Sequence, residues 1–462
     1  MRRREFLVVA GLGAAAGLAG CGGSGGSSPE ASGPPTAPGA IEGEVKVTYR
    51  QFGASKIQEK FLGGMVEQFS AAHPGATVKL QPIIASENDY FTKLQLAMRS
   101  PRTSPDVAYE DTFVINADTA AGYLTPLDDK INSWEDWSQF NPTAKTAGQA
   151  LDGKTYGIPD GTDVRAIWYN KTLLSSAGLP EPWQPKTWQD LLTAAQAVKD
   201  KLPDVIPINV YAGTGVGEAA SMQGFEMLLY GTAGGTLFDK ESQKWVVGSQ
   251  NFKDALGFQH QIYSSGLAPT PQQALNPTWT NTVGQELLPT GKLAIAVDGS
   301  WLSGAWGSAG AAPWKEWNQV MGTTPMPTQN GEGSGKVTMS GGWTWAIPQN
   351  SQNPAAAWEL IKVLCSKEGE LEWAITNVQI PVRTDVAKDP TYTKANPTNA
   401  FFSELVADTI YRPAYSEYAK ISLLIQQATE KVITNDETPE AAAKFYDDGV
   451  TGIVGPDKVI TK

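Results

Sequence analysis

Residues 105–111 read Pro105-Asp106-Val107-Ala108-Tyr109-Glu110-Asp111, an apolar run opened by proline and closed by two acids. A run of that length predicts a short buried strand with charge at its carboxyl end. Upstream, EVKVTYRQF (44–52) alternates apolar and polar residues as a strand does, and a helical spacing follows through Phe61, Met65, Val66 and Phe69. ATVKLQPII (76–84) reads as a second strand and SENDYFTKLQLAMRS (86–100) as an amphipathic helix. Strand alternating with helix implies an α/β lobe with a largely parallel sheet. Ligands of such sheets sit beyond the carboxyl ends of the strands, where Glu110 and Asp111 stand.

Further along, Thr187 is placed to cap the helix LLTAAQAVKDKL with Asp190 answering it, and Asn353-Pro354 opens AAAWELIKVL. Tyr418, Ile421, Ile425, Ala428 and Val432 fall on one face of a long C-terminal helix. These are packing features. No repeat of solenoid or propeller period occurs. Gly335-Lys336-Val337 lacks the glycine and hydroxyl of a phosphate loop, and Gly213-Thr214-Gly215-Val216-Gly217 has the character of a turn rather than a dinucleotide loop.

The N-terminus MRRREFLVVAGLGAAAGLAGC has the layout of an export signal, cationic then apolar and too short and Gly-rich to span a bilayer. Arg3-Arg4 fits either twin-arginine (Tat) or Sec export, and Leu18-Ala19-Gly20-Cys21 resembles the lipobox of bacterial lipoproteins, with Cys21 acylated. The expected division is a signal peptide over 1–20 and a Gly/Ser/Pro-rich lipidated tether over 21–41. The protein is thus expected outside the cytoplasm, lipid-anchored to the outer face of the cell membrane. Roughly 440 residues remain, more than one core usually supports, so two lobes are expected.

Cys365 is the single cysteine left, in an apolar-periodic stretch that suits a buried core thiol. The two histidines, His73 and His260, are isolated from other metal-ligating residues, so no metal, cofactor or His-based triad is expected. A net charge of −12 without basic clusters argues against nucleic acid and anionic lipid as partners.

Four stretches set a carboxylate or arginine among aromatics and glycines: YEDTF (109–113), GTDVRAIWYN (161–170), AVDGSW (296–301) and SGGWTW (340–345). A sugar ring offers C–H faces that stack on aromatic rings and edge hydroxyls that suit planar bidentate groups. Asp111, Asp163, Asp298 and Trp301 are the leading candidates, with Glu110 and Arg165 behind them. Each has a plainer role open to it: helix cap, turn former, tight-turn residue, core ring or ion-pair partner. Two carboxylates flanking a sugar would equally serve a secreted glycoside hydrolase, and a carbohydrate-binding adhesin is a third reading.

In their order and spacing, SPDVAYEDTFVINADTAAGYLTPLDD, the long segment from Asp152 to Ala195, GKLAIAVDGSW, GGWTWAIPQNSQNPAAAWELIKVL and IPVR resemble family 1 extracellular solute-binding proteins, the sugar receptors of bacterial ABC importers. The resemblance implies a type II periplasmic-binding-protein-like fold. Its two α/β lobes would each be a mixed, mostly parallel sheet flanked by helices, joined by a three-segment hinge that closes around ligand. It places the N-lobe at 42–156 plus 338–383 and the C-lobe at 157–337 plus 384–462.

By the same resemblance the ligand contacts are Asp111, Asp163, Asp298, Trp301, Gly342 and Trp343. RPAYSEYAKIS (412–422) looks like the stretch of the disaccharide-binding branch in which Arg412 reaches the sugar. The first-strand loop QFGASK lacks the acid several relatives place there, leaving Ser55 as its candidate. Gly341 and Gly342 are expected to let a sugar approach the backbone beside Trp343, and Trp345, a secondary candidate, is expected to be hinge packing. The implied protein is a monomeric, non-enzymatic receptor for a di- or oligosaccharide, partnered by the transmembrane subunits of an ABC permease.

Overall fold

The computed structural model describes residues 41–52 and 55–462; the expected signal segment, Cys21 and the tether through residue 40 lie outside the described residues. The three strands read around PDVAYED form as expected, at Gly43–Gln51, Ala76–Ile84 and Val107–Asp111. They pair in parallel in one five-stranded sheet, in the order Ala76–Ile84, Gly43–Gln51, Val107–Asp111, Gly342–Ala346, Gly157–Thr162. The last two strands join antiparallel. A second sheet of four strands runs Met321–Thr324, Arg165–Asn170, Leu293–Gly299, Ile206–Asn209, with only its final pair parallel.

The mostly parallel expectation therefore holds for the N-terminal strands and gives way elsewhere. A parallel neighbour needs a crossover of a dozen residues or more, whereas the strands that pass between the sheets are linked by one or two residues. Thr162 and Arg165 lie in different sheets with Asp163-Val164 between them, and Ser340 and Gly342 are separated by Gly341 alone. These are the first two crossings.

The lobe boundaries shift accordingly. Gly157–Thr162, expected in the second lobe, pairs with Gly342–Ala346 in the first sheet, and residues 338–340, expected in the first, pair with Thr409–Tyr411 on the other side. The third crossing comes after the helix Pro390–Ala395, since Phe402 and Leu405 pack with Trp168 in the second lobe's core. The expected cut at 383/384 falls too early: the short helices after it pack on the helix Lys367–Thr376 of the first lobe, and Asn396 Nδ2 donates to Ser303 Oγ (3.0 Å) where the chain reaches the second.

Hydrophobic burial sets each lobe. Val45, Val47, Phe61, Met65, Trp345, Trp358, Cys365 and Trp373 share one core, and Trp168, Trp279, Trp306 and Phe402 another. The expected Thr187 capping box is present, and the expected face of the helix Tyr418–Ile433 is buried. Most tryptophans are thus structural. Across the cleft the lobes touch: Asn116 Nδ2 donates to the Ala414 carbonyl (2.7 Å), Asn88 Nδ2 to Gln426 Oε1 (3.2 Å), and the Phe113 and Tyr418 rings meet at 5.7 Å.

Candidate ligand-binding site

A cavity of about 430 Å³ lies where the carboxyl ends of both sheets face each other. From the first sheet come Phe52, Ile84 to Glu87 and Asp111, each at or just past the end of one of the three parallel strands. From the second come Asp298 near the end of Leu293–Gly299 and Trp301 just past it, and Tyr211, Glu218 and Gln223 after Ile206–Asn209. Two wide-turn helices, Ala219–Glu226 and Val283–Leu287, add part of the wall. Such π-helical turns recur at functional sites, where they offset side chains from the regular helical spacing.

Asp111, Asp163, Asp298, Trp301, Gly342, Trp343 and Arg412 all line this cavity, as do Ser55 and Arg165. Glu110 and Trp345 do not. Strand register explains the exclusion of Glu110. Trp343 pairs with Asp111, Thr344 with Glu110 and Trp345 with Tyr109, so Asp111 and Trp343 share a face and Glu110 turns away. Burial then raises the Glu110 carboxyl well above its ordinary range, beside Asp118. Glu110 thus faces away from the cavity, contrary to the expectation that it contacts ligand. Trp345 is fully buried in the first lobe's core, tilted against Tyr109 at 4.3 Å, in line with hinge packing.

Trp343 is held by four aromatic neighbours. It lies near-parallel to Tyr109 (4.8 Å, 12°) and Phe91 (5.9 Å, 21°), and edge-on to Phe52 (5.8 Å) and Tyr90 (5.9 Å). The glycines beside it serve the protein rather than open space for a ligand. A Cβ on Gly341 would lie 3.3 Å from Arg412 Nη2 and 3.4 Å from both Arg165 Nη atoms, and one on Gly342 would lie 2.8 Å from the Gly161 carbonyl. The pair is bare because two guanidiniums and a neighbouring strand occupy that room.

Each cavity arginine is matched by carboxylates. Arg412 Nη2 donates to Asp111 Oδ1 (2.7 Å) and Nη1 to Glu218 Oε2 (3.0 Å), with its plane over Phe113. It thereby joins a carboxylate from each lobe. Arg50 pairs with Glu87 (3.2 Å), and Arg165 with Asp163, whose Oδ1 also accepts from Gly341 N (2.8 Å). Asp298 accepts from Tyr211 Oη (2.8 Å) and Gly299 N (2.7 Å). Asp111 also accepts from Phe113 N (3.2 Å), so the helix-entry role open to it in the sequence coexists with its place on the cavity wall.

Sequence reasoning missed Glu218, Arg50, Glu87 and Tyr211. For Glu218 a signal exists: IPINVYAGTGVGE is again an apolar strand followed by glycines and an acid, although its glycines by themselves read as a turn. Arg50 and Glu87 carry none, since their ion pair joins the ends of neighbouring parallel strands.

Burial raises several carboxyls: Asp298 to about 6, Asp118 to about 7, and Glu226 and Glu370 to about 8. Their pKa values are higher folded than unfolded, so the native state binds more protons between about pH 5 and pH 8 and loses stability as pH rises through that window. Carboxylates held below their usual range, such as Asp239 at about 2, titrate only at lower pH. The melting temperature is therefore expected to be several degrees higher at pH 5.5 than at pH 8, measured by calorimetry. A flat or rising profile would show that these carboxyls are not buried as described.

The profile of the family described as bacterial extracellular solute-binding protein matches residues 53–371. The chain is 24% identical over 420 residues to a binding protein of Brucella abortus (strain 2308), covering 88% of this chain and 92% of that one. It is 23% identical over 308 residues to the lactose-binding protein of Rhizobium radiobacter, covering 65% and 66%. Among solved structures, the GacH receptor of Streptomyces glaucescens, described unliganded and with acarbose, superposes with a TM-score of 0.77 at 23% identity, covering 90% of this chain and 99% of that one. A maltose-bound T. maritima protein gives 0.75 at 22%, covering 89% and 100%. At these identities the likeness shows a shared two-lobe fold.

Proposed function

This chain belongs to the bacterial extracellular solute-binding protein family, and from that premise we propose that it is the carbohydrate receptor of an ABC importer, taking a di- or oligosaccharide between its lobes. The observation that carries the reading is the convergence of Asp111, Asp163, Asp298, Trp301 and Trp343 on one cavity of about 430 Å³. That volume is in the range of small-molecule sites. Acidic edges and indole rings are what a neutral polyhydroxylated ring requires. The lactose, maltose and acarbose in the names of the relatives point the same way.

In this reading Asp111 and Asp298 accept hydroxyl hydrogen bonds from opposite lobes, and Trp301 and Trp343 offer their rings to the sugar's C–H surfaces. Arg412, already bound to Asp111 and Glu218, fixes the carboxylates more than it reaches out itself. A ligand held by both lobes favours the closed form by the difference in its affinity for the two forms. A dissociation constant around micromolar, roughly −8 kcal/mol, suffices for a receptor that must release its cargo. The closed lobes would then dock on the transmembrane subunits of the permease. Cys21 would carry the lipid anchor, with export by Tat or Sec and a monomeric receptor.

A thermal-shift screen over maltose, trehalose, cellobiose and xylo-oligosaccharides tests the assignment, because a ligand of the folded state raises the melting point. At least one sugar is expected to do so and to be recovered intact after prolonged incubation. Release of monosaccharide would turn the reading to a glycoside hydrolase; no shift with any sugar would remove the carbohydrate assignment. Trp301→Ala is expected to weaken the best sugar by about 1–3 kcal/mol, measured by titration calorimetry.

A further inference from the structure

Arg165 opens its strand immediately after the first crossing and stands directly opposite Gly299 in the antiparallel pair of strands. Residues paired in this way present their side chains on the same face of the sheet. At Gly299 there is no side chain, and the indole of Trp301 fills the room: a Cβ there would lie 2.0–2.3 Å from three atoms of the ring. The Arg165 guanidinium lies over the same ring, its carbon 4.7 Å from the centroid. Trp301 therefore rests on one strand's glycine beside its neighbour's arginine.

The remaining contacts of that guanidinium belong to the hinge. Nη1 donates to Asp163 Oδ1 at the first crossing and to the Met339 carbonyl (3.4 Å) just before the second. Asp163 Oδ1 also accepts from Gly341 N, within the second crossing. The backbone of Arg165 is fixed to the same segment, its N–H donating to Thr338 Oγ1 (3.1 Å) and its carbonyl accepting from that hydroxyl (2.7 Å). Arg165 is buried, so this arrangement has few alternatives.

We infer that Arg165 is a positioning residue: clasped by Asp163 and Met339 at the two crossings, it holds the Trp301 ring in place, so that the pose of the ring follows the hinge. Arg165 then influences ligand binding through Trp301 and not by a hydrogen bond of its own. Lysine keeps a positive charge for Asp163 but loses the plane that covers the indole. The ligand arm of the test rests on the carbohydrate reading above; the ligand-free arm does not.

The ligand-free arm takes the emission of the intact protein minus that of Trp301→Phe as the contribution of Trp301, and quenches it with acrylamide. In Arg165→Lys this contribution is expected to shift in wavelength and to quench at least about twofold more readily, as the plane stacked on the ring is lost. Arg165→Gln, which removes the guanidinium from the ring and leaves Gly299 intact, is expected to do the same and serves if the lysine variant folds poorly. Emission and quenching unchanged in a folded Arg165 variant would overturn the inference.

The ligand arm uses the sugar with the largest shift in the panel. Arg165→Lys is expected to weaken it about five- to tenfold in the otherwise intact protein and less than about twofold in the Trp301→Ala background. An equal loss in both backgrounds would show that Arg165 acts independently of the ring. Should no sugar of the panel bind, the functional reading fails while the quenching result still decides the role of Arg165.

Discussion

Arg412→Met is expected to lower stability by about 3–5 kcal/mol and to abolish measurable sugar binding. Arg412 is 8% exposed, and its guanidinium lies between Asp111 of the first lobe and Glu218 of the second. Burial raises the Asp111 carboxyl, and Arg412 offsets only part of that rise. Removing one partner of a buried ion pair leaves uncompensated charge, which costs several kcal/mol, whereas replacing the whole group can be neutral. The substitution leaves two carboxylates facing each other across the cleft, opposing both folding and closure. Adding Asp111→Asn and Glu218→Gln to the variant is expected to restore much of the stability but not the binding. Urea denaturation checks the first effect and titration calorimetry the second; a loss below about 1 kcal/mol would mean the bridge does not tie the lobes.

Trp343→Ala is expected to have a comparable effect for a different reason. Its ring fills the space between Tyr109, Phe91, Phe52 and Tyr90, and deleting a large aromatic from such a setting costs about 3–5 kcal/mol. The same four rings line or support the cavity wall, so their relaxation into the void should spoil the site as well as the core. Trp343→Phe keeps a ring and is expected to recover most of the stability and only part of the affinity. A variant with normal stability and lost binding would make Trp343 a ligand contact alone. Lost stability with normal binding would make it packing alone.

Much of this was legible in the chain, and the reasons are local. PDVAYED announces a buried strand through its apolar run, and the period of two places Asp111 and Trp343 on one face once the strands pair. The same period should have excluded Glu110, adjacent to Asp111 and therefore on the other face. Glycine proved harder. A bare position next to a ring suggests room for a ligand, but what occupies the room beside Gly341 is Arg165, 176 residues away, and Arg412, 71 residues away. Long-range placement of this kind leaves no trace in local spacing.

The lobe boundaries failed for a related reason, because a strand such as Gly157–Thr162 has the same composition whichever sheet it joins. Glu218 was within reach, since its strand, glycine-rich loop and acid repeat the pattern that singled out Asp111 and Asp298.

The central claim is that the cleft between the lobes binds a sugar, and titration calorimetry with the strongest sugar of the panel tests it most directly. One-to-one binding near micromolar affinity in the intact protein, with the heat lost in Arg412→Met, is the expected result. Binding that survives Arg412→Met unchanged, or no heat with any sugar of the panel, would contradict it.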